Sequence, residues 1–427
     1  MMWLVHILIA LFLFPSRSSS KRMLALFRPR SRHTKTFLPL HKFSLSHYEY
    51  RALSELEEGA NEKWQGSAHP LFATSPYGEM FQVLDVQDLA PSLALSTLLA
   101  GMYEIVSEAT PSEVSSAFPE LAKQIRRGAG TVVVATKPHL TRQEEEAFRS
   151  TFSALDPLSS PGQGDDDLHI FALDTDDGGV VVCRRLLSGL ASPTRMRSLP
   201  DPTAFRRPKS GILSKFALRR LPFVTPTAME PELGLIMANL ARVHKAKIVL
   251  DPFAGSGSIL LATGALQAKW AEAEAEAEAE AELVGIDVEL DTPKVLENFS
   301  ALSLPVPITL LRANSLGLLR GDSGDISTLA ARLKESQVDC IVTDPPYGMK
   351  EVLQTGGDSG PTTILLELAE RFLRPGGRCV FWAPAHLEER DKPIPLPPSS
   401  GLRLVLDIEQ TLSPTLSRRL VVVEKRL

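Results

Sequence analysis

The C-terminal half of the chain alternates short apolar runs with longer stretches in which apolar residues return every three or four positions. "KIVLDPF", "LVGIDV", "PITLLRA", "VDCIVTD" and "GGRCVFWAP" read as strands, and "MEPELGLIMANLARVH", "GSILLATGALQAKW" and "TTILLELAERFL" as helices among them. Near-continuous apolar strands alternating with helices predict a mostly parallel sheet covered on both faces, an α/β domain over residues 223–427. Upstream, "SHYEYRALSELEE", "MFQVLDV", "LAPSLALSTLLAGMYEIV" and "TVVVAT" alternate helix-like with strand-like patterns, which predicts a smaller α+β domain over 45–183. "DPLSSPGQGDDD" within it has the composition of a surface loop.

Two segments break these patterns. Residues 271–282, "AEAEAEAEAEAE", have a period of two, but Ala and Glu are both good helix formers, so an exposed extension of the preceding helix is expected, with no function of its own. Residues 1–44 open with "MMWLVHILIALFLF", too short to span a bilayer comfortably, and continue rich in Arg, Lys and Ser with no acid before Glu49. Three readings fit: a bipartite plastid-import leader, a mitochondrial presequence starting at Met23, and an extraneous first exon. On each of them the stretch stays outside the fold and stable membrane anchorage is not expected.

At 427 residues the chain is long enough for two or three domains with their own cores, and 44% hydrophobic with 23% charged residues is ordinary soluble composition. The cysteines Cys183, Cys340 and Cys379 lie far apart, which supports neither a disulfide framework nor a metal site. Eight Lys and Arg precede Glu49, so the remainder is more acidic than the net −5 of the whole. A nucleic-acid partner must therefore be held by a local patch. One candidate is the stretch from Arg184 to Arg220, where ten bases, among them Arg184, Arg185, Arg206, Arg207 and Lys209, meet the single acid Asp201. Such a stripe suits phosphate contacts; its Pro, Ser and Gly content equally suits a solvated linker over 184–222.

The chemistry concentrates in three short motifs. "VLDPFAGSGSILL" reads as strand, Gly-rich turn and helix, where Gly255 and Gly257 let the backbone approach a ligand and the helix offers unpaired amides. Asp287 ends the next strand in "VGID", a place from which a carboxylate accepts from ribose hydroxyls. "TDPPYGMKE" leaves the strand "VDCIVT" through Pro345 and Pro346, which end sheet pairing and hold Asp344 and Tyr347 at the carboxyl edge of the sheet, where open α/β folds bind ligands.

"DPFAGSGS" followed by "DPPY" resembles the amino-methyltransferase branch of S-adenosylmethionine enzymes. With "TAMEPELGLIMANLA", "GGRCVFWAP" and "EQTLSPTLSRRLVVVEK", the likeness narrows to the eukaryotic tRNA guanosine-10 N2-methyltransferase family. "HYEYRALSELEE" and "LALSTLLAGMYEIV" are more weakly similar to that family's THUMP-associated domain. The resemblance implies a Rossmann-like class I methyltransferase domain after a THUMP-like RNA-binding domain, S-adenosylmethionine as cofactor, tRNA as substrate and a cytoplasmic setting unless the leader is genuine. It also implies a small zinc-binding activator subunit, for which an apolar edge at Ile308 to Leu311 offers strand addition. Asp344, Pro345, Pro346 and Tyr347 take the catalytic turn. Thr227 and Met229 face the methionine end, Asp251, Gly255 and Gly257 line the loop, Asp287 takes the ribose and Asn314 the adenine. The family tends to have an acid where this chain has Ala313, which moves the adenine contact to Asn314. Methylation of adenine N6 or of a glutamine side chain uses the same turn, and a non-catalytic RNA-binding scaffold is a third reading.

Overall fold

The computed structural model describes residues 21–27, 45–54, 67–68, 81–86, 90–109, 131–135, 168–172, 180–190, 212–273, 281–304, 308–346, 360–385, 393–397, 400–413 and 416–427. No helix among them is long and apolar enough to cross a membrane. The chain divides into two compact units, each with a seven-stranded sheet.

In the first unit the strands are β1 (Lys21–Phe27), β2 (Ser67–Ala68), β3 (Phe81–Val86), β4 (Leu99–Ala109), β5 (Thr131–Ala135), β6 (Leu168–Ala172) and β7 (Val180–Ser188), in the order β2-β3-β1-β4-β7-β6-β5. Two features differ from the sequence reading. The strand β1 lies within the stretch expected outside the fold, yet pairs antiparallel with both β3 and β4. "LAPSLALSTLLAGMYEIV", read as helix-like, is a 3-10 turn over Pro91–Leu95 followed by β4. Pro91 and Gly101 weaken a helix there, and ladders with β1 and β7 on either side override the local preference of the Leu and Ala residues.

The second unit carries β8 (Ile248–Asp251), β9 (Glu282–Asp287), β10 (Ile308–Arg312), β11 (Val338–Thr343), β12 (Leu373–Ala385), β13 (Leu402–Ser413) and β14 (Leu416–Lys425). Their order is β10-β9-β8-β11-β12-β14-β13, with β8 to β12 parallel and β14 antiparallel to both neighbours. This is the Rossmann-like α/β sheet that the strand and helix pattern predicts. The chain runs outward from β8 to β10 and then returns to β11 on the other side of β8, so the topological switch lies between β8 and β11.

Local chemistry explains the helices. Pro361 opens Pro361–Phe372, and Ile364, Leu365, Leu368, Ala369 and Phe372 form its buried stripe. Thr292–Ala301 is capped by Asp291, whose carboxylate accepts from the Lys294 amide at 3.3 Å. Asp325–Ser336 buries Ile326, Leu329, Ala330 and Leu333, spaced by three or four. These side chains join Leu250, Val284, Ile286, Ile341 and Phe381 in one core.

The helix Leu45–Ser54 and the segment Leu95–Leu98 belong to this second unit. Glu49, fully buried in that helix, accepts from the Ser96 hydroxyl (2.6 Å), the amides of Thr97 (2.9 Å) and Leu98 (2.8 Å), and the Asn239 side chain (2.8 Å). Burial raises its pKa, and these four donors work against that shift. Two donors reach each oxygen, so the carboxylate's acceptor capacity is filled. The stretch expected as a linker over 184–222 begins inside β7 and includes the short helix Ile212–Lys215, where Ile212, Leu213 and Ser214 are buried, and a 3-10 turn over Leu218–Arg220 that buries none of its residues.

Candidate active site

The carboxyl ends of β8, β9, β10 and β11 bring the motif residues to one edge of the sheet. After Asp251 the chain turns through Gly255 and Gly257, with φ of 51° and 75°, into the helix Ser258–Ala273. Both angles lie in the left-handed region that glycine adopts freely. The two glycines differ in what surrounds them. A β-carbon at Gly257 would stand 2.8 Å from Val295 Cγ1, whereas at Gly255 it would meet no atom within 4 Å. Gly257 is thus required by packing, and Gly255 leaves open space in front of the loop.

Asp287 holds this loop in place. Its Oδ2 accepts from the Gly255 amide at 3.0 Å and its Oδ1 from the Glu289 amide at 2.9 Å, while the Ala254 amide donates to the Ile286 carbonyl at 3.0 Å. Each carboxylate oxygen keeps a second acceptor direction for ribose hydroxyls. The Ala313 amide donates to the Asp287 carbonyl at 3.0 Å, which places Asn314 beside the end of β9. Asn314 is exposed, and its side-chain oxygen accepts from the Leu316 amide at 3.0 Å. On the other flank the Met229 amide donates to Ser258 Oγ at 3.0 Å, so the buried Met229 sits at the start of the glycine-loop helix; Thr227, two residues earlier, is exposed.

Across the switch point, the Thr343 hydroxyl donates to Asp251 Oδ1 at 2.6 Å, tying the end of β11 to the end of β8 one residue before Asp344. Asp251 is buried, and desolvation pushes its carboxyl up to about 7; the bonds from Thr343 and Phe253 pull the other way, and the charges of Asp287 and Asp344 add to the rise. Three carboxylates therefore share this edge, an electrostatic setting that suits a cationic ligand. Asp344 and Pro346 are partly buried and Pro345 is buried; Tyr347 lies outside the described residues.

Sequence reasoning missed the neighbours of Asp344. Arg418 on β14 approaches it with Nη1 3.8 Å from Oδ2, and the guanidinium carbon lies 3.8 Å from the centroid of the Trp382 ring. Thr343 ends an apolar strand as a polar residue, and that is the signal that would have found it. Arg184 and Arg185 lie on β7 of the first unit, and Arg206, Arg207 and Lys209 fall outside the described residues.

The arrangement fits S-adenosylmethionine. Open space at Gly255, a carboxylate at Asp287 with acceptor directions to spare, and an acidic edge suit a positively charged nucleoside. Residues 219–388, within the second unit, match the family described as RMKL-like, methyltransferase domain. Among curated relatives, tRNA (guanine(10)-N(2))-methyltransferase TRMT11 of Rattus norvegicus is 28% identical over 250 residues, 50% of this chain and 50% of the relative. The protein of that name from Dictyostelium discoideum is 30% identical over 238 residues, 49% of this chain and 43% of the relative. The chain thus spans about half the length of the curated relatives it matches. A solved structure, TrmN from Thermus thermophilus, is 16% identical with a TM-score of 0.43, covering 95% of this chain and 99% of that one.

Proposed function

We propose that the chain transfers a methyl group from S-adenosylmethionine to the exocyclic N2 of a guanosine in tRNA, at position 10. The observation that carries this reading is the Asp344-Pro345-Pro346 turn, delivered at the switch point beside the Gly255 loop and braced by the bond from Thr343 to Asp251. The curated relatives bear the name of that activity. Asp251, Gly255, Gly257, Asp287 and Asn314 hold the cofactor along one side, with Thr227 and Met229 at its methionine end. When bound, S-adenosylmethionine supplies a methyl group already activated by its sulfonium charge.

Guanine N2 is a poor nucleophile because its lone pair is delocalised into the ring. Asp344 accepts one hydrogen bond from the amino group and the Pro345 carbonyl accepts the other, which draws the nitrogen toward tetrahedral geometry. Tyr347 stacks on the base. The amine becomes acidic once methylated and loses its proton without a dedicated base, so positioning supplies most of the acceleration.

The first unit serves as the THUMP-like RNA-holding part, and the basic stripe through Arg184, Arg185, Arg206, Arg207 and Lys209 contacts phosphates. The strand β10, at the edge of its sheet with Ile308, Leu310 and Leu311 half-buried, offers an edge for a small zinc-binding activator subunit. The deciding experiment incubates the purified chain with S-adenosylmethionine and unmodified tRNA and analyses the nucleosides by mass spectrometry. N2-methylguanosine is the expected product. Methylation confined to adenine or to protein glutamine would overturn the reading.

A further inference from the structure

A line of side chains crosses the second sheet from the catalytic turn to its far edge. Thr343 pairs with Phe381, so Asp344 leaves β11 alongside Trp382 on β12. On β14, Arg418 pairs with Pro384 of β12 on one side and with Gln410 of β13 on the other. Strand alternation puts Trp382 and Pro384 on one face, and Arg418 with Gln410 on the same face. The contacts follow this register: the guanidinium of Arg418 stacks 3.8 Å over Trp382, its Nε donates to Gln410 Oε1 at 2.8 Å, and its Nη1 stands 3.8 Å from Asp344 Oδ2. Trp382 is itself fixed, being fully buried with its Nε1 donating to Met237 Sδ at 3.1 Å.

We propose that Arg418 is the positioning residue for the acceptor turn, a guanidinium held by Trp382 and Gln410 that presents the Asp344 carboxylate to the substrate amine. The inference rests on the methyl-transfer reading given above. Three properties of the contact favour it over a purely structural ion pair. The separation of 3.8 Å is outside hydrogen-bond range but within ion-pair range, so the guanidinium acts on the carboxylate through its charge. The guanidinium is located by a stacked ring and a hydrogen bond, both set by sheet register, so little rearrangement is left for the moment of reaction. The Arg418 side chain is only 13% exposed, which favours an internal prop over a phosphate contact.

The test compares Arg418→Gln, Arg418→Lys, Asp344→Asn and the double variant Arg418→Gln with Asp344→Asn, each full-length. A misplaced catalytic carboxylate loses about 100-fold in rate. Arg418→Gln is therefore expected to lower kcat by about 100-fold, with KM for tRNA and calorimetric affinity for S-adenosylmethionine within about threefold of wild type. Arg418→Lys keeps the charge but not the planar fork, and is expected to recover only part of the loss. In the double variant the Arg418 change is expected to add nothing to the Asp344 change, because it acts through that carboxylate. Turnover of Arg418→Gln near wild type, losses that multiply in the double variant, or a parallel loss of cofactor affinity would each overturn the proposal. A wild-type chain that binds S-adenosylmethionine and methylates no tRNA guanosine overturns the functional reading instead. The pair is then judged by the same four variants in thermal unfolding, where coupling supports the contact and independence refutes it.

Discussion

Asp251 shows how one residue carries a conflict between burial and charge. Its ordinary value is 3.8 and in the folded chain it is about 7, so between those pH values the folded state holds a proton that the unfolded state has released. The favourable contribution of Asp251 is whole below about 4 and is lost as the pH rises through 7. Asp251→Asn keeps an Oδ1 to accept from Thr343 and Phe253, whose bonds both end on that atom. It is expected to raise the unfolding midpoint of the free protein by about 2–4 °C at pH 8 and to leave it nearly unchanged at pH 4. An equal shift at both pH values would show that the proton is not the cause. Asp344 and Asp287 divide the work between substrate and cofactor. Asp344→Ala is expected to abolish transfer with cofactor affinity nearly intact, whereas Asp287→Ala weakens cofactor binding by about 1–3 kcal/mol in a calorimeter.

At the scale of elements, the glycine turn separates a packing demand from a binding demand. Gly257→Ala drives a methyl group into Val295 at a φ of 75° and is expected to destabilise the fold by about 2 kcal/mol or more; Val295→Ala in the same chain should recover the steric part and not the backbone part. Gly255→Ala meets no neighbour, so it is expected to cost about 1 kcal/mol of stability and to act mainly on cofactor affinity. Denaturant titration beside calorimetry distinguishes the two. These motifs were legible because each is local: an apolar strand, a glycine pair and an acid follow one another in sequence. The helices Thr292–Ala301 and Asp325–Ser336 and the β13–β14 hairpin were not singled out. Their apolar positions are sparse or merge with a resemblance read as motif rather than structure. Arg418 could not be placed beside Asp344 before the pairing of β14 with β12 was known, since only that register brings the two together.

At the scale of the molecule, the second unit is discontinuous in sequence: the helix Leu45–Ser54 and Leu95–Leu98 join Phe205–Leu427. Glu49→Gln changes little in size, but turns an amide group toward two of the four donors. The expected loss is about 2–4 kcal/mol, larger than surface substitutions give, and is read by chemical denaturation. A loss within 0.5 kcal/mol, the range of surface changes, would mean that the cluster adds little to the unit. The partnership of Glu49 with Asn239 also sets a schedule for synthesis. The two residues are 190 positions apart, which at about 5–20 residues per second leaves the carboxylate for roughly 10–40 s without that partner after it has been made. During this interval the nascent helix cannot complete its buried network, so slowing translation downstream of Glu49 should lengthen the time for which the emerging chain is held by chaperones.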